Sequence, residues 1–347
     1  MYLAVNRTNW EARGTESYVR EVVQHPQGAG GTSLSLVLRL QMMKMSTPQW
    51  TGGSYVLITA AHNEEAYIEA TISSVVCQTL LPQKWIIVSD GSDDKTDEIV
   101  LRYVDKHPFI ELLRMADKRS RDFASKVFAL NAAAACLEVK KYEFVGHLDA
   151  DVTFDSGYIE SLLGEFEHDK HLGVGGGFIY EKHGGQYLSR VGNTSTSVAG
   201  AVQMFRRECY EGIGGFSPMP FGGEDWHAEI SARMKGWRVA SFPSLPVYHH
   251  RPTGTAGKGL LTYWYRQGKM DYCLGCHPLF EVLKMAKRLR ARPYIAGAFV
   301  RFWAFTAAHL GRQKRMVSPE FVEFLQAEQR ARLPRIFGVW PRGAADE

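Results

Sequence analysis

Two aspartates one residue apart, Asp149-Ala150-Asp151, close an apolar run. Carboxylates at i and i+2 beyond a strand can both reach one divalent cation, and the small Ala150 keeps the gap between them short. Mg2+ or Mn2+ held by so few protein ligands keeps coordination positions open for phosphate oxygens. A second acidic pair, Glu224-Asp225, follows Phe221-Gly222-Gly223 at the start of a helical stretch. A carboxylate there can act as general base on a hydroxyl, or it can simply complement the helix dipole. Asp90, in Ser89-Asp90-Gly91-Ser92, leaves a strand into a turn, where it can accept a hydrogen bond from a base or ribose or close an Asx turn. His62 and Asn63 stand at the equivalent exit of the preceding strand. His249 and His250 follow a short strand, and a neutral imidazole there can be a third metal ligand. Taken singly, each of these has a plain structural reading. Their order along the chain is what gives them weight.

The elements that must position these groups follow from periodicity. Tyr55-Val56-Leu57-Ile58-Thr59-Ala60 is a continuous apolar run, the pattern of a strand buried on both faces. Asn63 is placed to cap a helix whose Ile68, Ile72, Val75 and Val76 share one face. Trp85-Ile86-Ile87-Val88 is a second strand, followed by a helix over residues 95–104 and a strand near 109–113. An alanine-rich helix spans 125–139, and a strand over 143–148 ends at the two aspartates. Strand, helix, strand, helix, with polar residues at the strand exits, predicts an α/β fold whose parallel sheet binds ligands at its carboxyl edge. After Gly175-Gly176-Gly177 the pattern loosens into glycine-rich loops. A helix from Glu224 to near Gly236 follows, then short strands at Trp237-Arg238-Val239 and Pro246-Val247-Tyr248.

Composition narrows the field. With 347 residues, 45% hydrophobic and a net charge of +4, the chain is neither disordered nor too small for a core. Five cysteines without regular spacing fit a reducing compartment, and the lone Cys273-x-x-Cys276 lacks the second pair of a zinc site. Charge is uneven: residues 251–347 carry 17 Lys+Arg against 7 Asp+Glu, a net +10, and residues 1–250 carry 24 against 30, a net −6. An acidic front suits metal-assisted chemistry and a basic tail an anionic surface. No nucleic-acid reading motif accompanies the basic residues, so no nucleic-acid partner is expected. Gly254-Thr255-Ala256-Gly257-Lys258-Gly259 falls short of a P-loop, because the first glycine falls on Pro252 and Gly259 replaces Ser/Thr. Residues 1–50 show no sustained period apart from Leu34-Ser35-Leu36-Val37-Leu38, which lacks the charged leader of a secretory signal; they are expected to be poorly ordered, with a start near Met42, Met43 or Met45.

Together, Ala60-Ala61-His62-Asn63-Glu64-Glu65, residues 86–96 around Ser89-Asp90-Gly91-Ser92, Lys126 with Ala129-Leu130-Asn131, Asp149-Ala150-Asp151, Gly214-Gly215-Phe216, Glu224-Asp225 and Gly236-Trp237-Arg238-Val239 resemble the family 2 glycosyltransferases. The resemblance covers roughly residues 55–252. It implies a GT-A fold, Rossmann-like with a mainly parallel sheet flanked by helices. It further implies an inverting transfer of sugar from a nucleotide-sugar donor, most commonly a UDP-sugar, to a hydroxyl of a glycan or polyprenyl-linked acceptor, assisted by Mg2+ or Mn2+. Carried over by position, His62, Glu64, Asp90, Lys126 and Asp149 would bind the nucleotide. Asp149, Asp151 and His249 would hold the metal, with His250 as alternate ligand. Asp225 would be the general base, supported by Glu224. Two departures are informative: Ser89 stands where the family turn usually has an acid, leaving Asp90 as the ribose anchor, and the Gln-x-x-Arg-Trp signature of processive synthases is absent, which favours single addition. A sugar nucleotidyltransferase would need a basic glycine-rich loop after the first strand, and a non-catalytic glycan- or lipid-binding module would not need Asp225.

The division implied is an N-terminal segment 1–50, a catalytic domain 51–255, a helical basic extension 256–335 and a tail 336–347. Tyr272-x-Leu274-Gly275-x-His277-Pro278-Leu279-Phe280-Glu281 is similar to bacterial polysaccharide-assembly glycosyltransferases, which act on cell-envelope glycans. Lys284, Lys287, Arg288, Arg290 and Arg292 precede an apolar stretch at 294–310, and Arg312, Lys314 and Arg315 follow it. Basic flanks around an apolar helix suit a peripheral contact with anionic membrane, so the expected location is cytoplasmic, at the inner face of the cell membrane.

Overall fold

The computed structural model describes residues 53–115, 124–137, 141–183, 185–251, 259–289 and 294–336, all within one compact unit. The N-terminal segment, the glycine-rich stretch 252–258 and the tail after 336 lie outside the described residues.

The apolar runs become strands β1 (Tyr55–Ala61), β2 (Lys84–Ser89) and β4 (Phe144–Leu148), joined in parallel, with β3 (Ile110–Arg114) outside β2. Alternate residues point to opposite faces, so each face carries its own core. Tyr55, Leu57, Trp85 and Ile87 pack with helices α1 (Ile68–Val76) and α2 (Thr96–Val104). Val56, Ile58, Ile86 and Val88 pack with α3 (Ala124–Ala135) on the other side. Helix α1 starts at Ile68 and is not capped by Asn63. That residue adopts φ 54°, and its side chain exchanges two hydrogen bonds with Asp93, tying together the exits of β1 and β2.

Beyond β4 the sheet changes direction. The order is β3-β2-β1-β4-β8-β6-β9-β5, where β5 (Val152–Phe154), β6 (Leu172–His183), β8 (Val202–Arg206) and β9 (Arg238–His249) complete the path and β7 (Gln186–Ser189) hangs on β6. Strand β8 runs antiparallel to both β4 and β6, and β9 is parallel to β6 and antiparallel to β5. The run Gly175-Gly176-Gly177, after which the sequence pattern loosens, lies inside β6: a Cβ on Gly177 would sit 2.0 Å from the Leu245 carbonyl oxygen, and one on Gly176 would sit 2.4 Å from that of Val202. The two short strands expected at 237–239 and 246–248 are the ends of one, β9. Its pairing with β6 skips from Phe242 to Pro246, where Pro243 and Pro246 lack ladder donors. Helix α4 (Tyr158–His168) covers the first face, and α5 (Arg207–Ile213) and α6 (Glu224–Met234) the second.

The C-terminal part is helical: α7 (Leu260–Cys273), α8 (Pro278–Arg288), α9 (Ile295–Leu310) and α10 (Pro319–Ile336). A third core of Met219, Ile230, Tyr272, Leu274, Phe305, Phe321 and Leu325 joins α7, α9 and α10 to α6. Within it sits a buried ionic group. Arg301 of α9 donates to Glu281 (2.6 Å) and to Asp271, and Lys284 donates to Asp271 (2.8 Å). Burial alone would raise Asp271, but Lys284 and Arg301 bring its carboxyl down to about 2. Cys276 packs here within hydrogen-bond reach of Asp271 and Gln329, which gives the Cys-x-x-Cys pair a packing role. The conspicuous residues of 272–281 are explained locally. Gly275 takes φ 81° against Val322, His277 accepts from the Leu279 N–H to cap α8, and Glu281 meets Arg301.

Removing one member of a buried ionic group leaves its partners charged and unpaired, typically at about 3–5 kcal/mol. Arg301→Met is therefore expected to lower unfolding stability by about 3 kcal/mol or more, read as a fall in the urea midpoint.

Candidate active site

The site forms where β4 and β9 end and β8 begins. Asp149 leaves β4 with its N–H bonded to Ala201 O (2.9 Å), and Asp151 is fixed through its carbonyl by the His250 N–H (2.9 Å). Between them, Ala150 O accepts from Thr71 Oγ1 of α1 (2.9 Å). His249, the last residue of β9, sets Nε2 3.2 Å from Asp151 Oδ1. One ligand atom from each of Asp149, Asp151 and His249 lies within 4.8 Å of the others. Ligands opposite one another on an octahedral Mg2+ are about 4.2 Å apart, so only small movement is needed to close them on one ion. Two carboxylates and an imidazole suit Mg2+ or Mn2+ and leave sites for phosphate oxygens. The donor set fits.

The cations nearby are this chain's own. Burial disfavours a proton on His249, but its bond to Asp151 prevails and raises it above the ordinary imidazole range. Burial likewise pushes Asp151 up, and His249 and Arg251 outweigh it, leaving the carboxyl lowered. Lys126 of α3 sets Nζ 2.6 Å from Asp149 Oδ1; burial lowers its proton affinity, and Asp149, Glu224 and Asp225 more than restore it. Arg251 grips Glu64 with both terminal nitrogens, Nη1 at 3.0 Å from Oε1, and sets Nε 3.8 Å from Asp151. Burial raises Glu64 to about 7, opposed by Arg251 and reinforced by Asp151.

A small pocket lies beside Asp149, lined by Lys126, His147, Gly200, Phe216, Glu224 and Asp225. Asp225 accepts from the Gly200 N–H through Oδ2 (3.1 Å) and from the Trp226 N–H through Oδ1 (2.8 Å). Gly200 is required by closeness, since a Cβ there would stand 2.6 Å from Asp225 Oδ2. Gly223 enters α6 at φ 92°, a left-handed conformation against Met270 that suits glycine alone. Glu224 is raised by burial and by Asp225, with Lys126 opposing.

Of the residues singled out in the sequence, Asp149, Asp151, His249, Lys126, Glu224 and Asp225 surround this one region, with Glu64 joined to it through Arg251. His62 and Asp90 form a separate pair at the β1 and β2 exits, His62 Nδ1 2.9 Å from Asp90 O; burial raises Asp90. His250 is not an alternate ligand here. Its Nε2 is 3.0 Å from Thr153 Oγ1, its Nδ1 is 2.8 Å from Tyr187 Oη, and its ring stacks on Tyr67.

Sequence reasoning passed over Arg251, His147 and Glu229. Glu229 stands four residues after Asp225 on α6, a spacing that marks one helix face. It receives hydrogen bonds from Ser197 Oγ (2.9 Å), the Val198 N–H (2.6 Å) and Gln203 Nε2 (3.3 Å), and so holds the loop that carries Gly200.

Such a sheet, with side chains at its carboxyl edge that could hold a divalent ion, is that of the GT-A class of α/β folds. Residues 56–221 match the family model described as Glycosyl transferase family 2, and this part of the chain is a family 2 glycosyltransferase domain. The chain is 30% identical over 136 residues to the poly-β-1,6-N-acetyl-D-glucosamine synthase of Staphylococcus epidermidis, covering 39% of this chain and 30% of that protein. To the synthase of the same name from Staphylococcus aureus it is 30% identical over 117 residues, 34% of this chain and 26% of that protein. It thus spans under a third of the length of these relatives. In structure it resembles GalNAc-T7 solved with UDP, GalNAc and Mn2+, with TM-score 0.51 and 14% identity over 84% of this chain and 59% of that one, a likeness of fold.

Burial, then Asp225, push the Glu229 carboxyl up to about 8 from 4.5. The native state therefore holds a proton that the unfolded chain has released, and this contribution to stability falls as pH rises from about 5 to about 8. Glu229→Gln, which does not titrate and keeps a carbonyl oxygen to accept from the Val198 N–H, is expected to make that fall shallower in urea midpoints measured across the same range.

Proposed function

We propose that this chain transfers a sugar from a nucleotide-sugar donor, with UDP the expected nucleotide, to a hydroxyl of a glycan or polyprenyl-linked acceptor in polysaccharide or cell-envelope synthesis, with inversion at C1. The observation carrying this reading is the meeting of two kinds of carboxylate on one pocket: Asp149, within ligand distance of Asp151 and His249, and Asp225, which has no place in that cluster. The named products of the Staphylococcus relatives support a glycan acceptor, and the UDP and Mn2+ bound to GalNAc-T7 support the donor and metal classes.

A divalent ion held by Asp149, Asp151 and His249 would supply Lewis-acid stabilisation of the diphosphate leaving group. The chain's own residues do the rest. Lys126, once drawn from Asp149, adds a positive charge beside the phosphates. Backbone N–H groups fix both Asp225 oxygens, so a free lone pair is aimed without side-chain reorganisation. As the acceptor oxygen bonds to C1, Asp225 takes its proton, and the C1–O bond to the diphosphate breaks with the electron pair leaving on the diphosphate. Attack opposite the leaving group inverts the anomeric centre. His62 and Asp90, at the neighbouring strand exits, are assigned to the nucleoside. Glu64 braces Arg251 beside Asp151, and Glu224 shapes the charge around Asp225.

Asp225→Asn is expected to keep Mn2+-dependent UDP binding and lose transfer by about 10^2-fold or more. Asp151→Asn is expected to weaken that binding by about tenfold or more. Calorimetry and product analysis with a panel of nucleotide-sugars check both; transfer by Asp225→Asn within about twofold of the parent would remove Asp225 from the base role.

A further inference from the structure

Helix α9 is turned inside out with respect to charge. Its single charged residue, Arg301, points inward to Asp271 and Glu281, whereas Ile295, Phe299, Trp303 and Leu310 point outward at 57–77% exposure. At 100° per residue these four fall within about 80° of one another, an apolar face that also carries half-buried Thr306, whose hydroxyl donates to the Phe302 carbonyl. A free helix surface in water normally carries its polar residues on that side. Exposed Lys287 precedes the helix and exposed Arg312 and Lys314 follow it, and residues 282–319 contain no Asp or Glu.

We propose that the outward face of α9 seats in the interface of a bilayer containing anionic lipid, with Arg312 and Lys314 beyond its C-terminal end and Lys287 of α8 on the headgroups. The alternative occupant, a second copy across a two-fold axis, would set these acid-free basic segments against one another. The helix lies along the bilayer and not across it. It has 16 residues, about 24 Å against a hydrocarbon core of about 30 Å, and its other face is fixed to the protein. Among the described residues no helix is long and apolar enough to cross a membrane.

The seating bears on the pocket because α9 is braced to the residues around Asp225. Gly268 of α7 lies so close that a Cβ would be 2.1 Å from Arg301 O, and Met270 of the same helix and Leu274 just beyond it pack on Gly223 at the start of α6. Lys284, a member of the Arg301 group, stands 5.0 Å from the ring of Trp226, next to Asp225. A surface docked through α9 therefore holds the Asp225 side of the pocket at a fixed distance from the lipid, where a lipid-linked acceptor hydroxyl would be presented. This last consequence rests on the transferase reading above; the docking does not.

The test is sedimentation of the full chain with vesicles of phosphatidylcholine alone and of phosphatidylcholine with phosphatidylglycerol, at about 0.1 M and about 1 M salt. The expected result is binding to the anionic vesicles, weakened by salt, and reduced about tenfold or more in Phe299→Asp/Trp303→Asp, whose substituted side chains face solvent. Equal urea midpoints for the two proteins check that the variant is folded. Binding to neither vesicle, equal binding to both, or unchanged binding by the variant overturns the proposal. So does a concentration-dependent dimer that the substitutions abolish, which assigns the face to a second copy. Mn2+-dependent UDP binding is read on the same preparations: its retention without vesicle binding overturns the docking alone, and its loss with vesicle binding intact overturns the transferase reading alone.

Discussion

Carboxylates brought to one edge of a sheet repel one another unless positive charge lies between them, and the site is organised by that requirement. Glu64, Asp149, Asp151, Glu224 and Asp225 gather around the ends of β4 and β9, and Lys126, His249 and Arg251 are the groups that balance them. Burial, reinforced by that crowding, drives Glu64 and Glu224 toward protonation, while Asp151, facing both His249 and Arg251, is held ionised. A divalent cation with the phosphates it brings is matched to this arrangement, because it adds positive charge where the carboxylates converge and negative charge beside the lysine.

Position is enforced from three directions. The exit of β4 is tied to α1 through Thr71, β9 delivers His249 by pairing with β5, and α6 is set by Gly223 and by the Glu229 clasp on the loop 197–201 that leads into β8. Asp225 owes its orientation to that loop, whose Gly200 approaches too closely for any side chain. The helical region behind α6 completes the brace, and its buried Asp271, Glu281, Lys284 and Arg301 trade desolvation cost for a single fixed packing of α7, α8 and α9.

The front half of the fold was legible because parallel strands buried on both faces leave unbroken apolar runs, as at 55–60 and 85–88, and because chemistry in such sheets sits at strand exits. Thus the region around Asp149, Asp151, His249 and Asp225 could be read from order and residue type. The β6–β8 region was not legible. Its strand β6 opens with glycines chosen for closeness to Leu245, Val202 and Phe166, and glycine carries no strand signal. Arg251 was passed over because its partner Glu64 stands 187 residues earlier, a pairing that only the folded sheet creates. His250 was read as an alternate ligand because sequence cannot say which of two adjacent histidines turns outward; alternation along the strand end sends it to Thr153 and Tyr187.

The most direct test of the account is a titration with Mn2+ followed by electron paramagnetic resonance, on the protein alone and with UDP, GDP or dTDP. If Asp149, Asp151 and His249 form a metal site completed by phosphate oxygens, one nucleotide will tighten Mn2+ binding, and by linkage Mn2+ will tighten that nucleotide's binding by the same factor. Mn2+ that stays free in the presence of all three nucleotides, in folded protein, would contradict it.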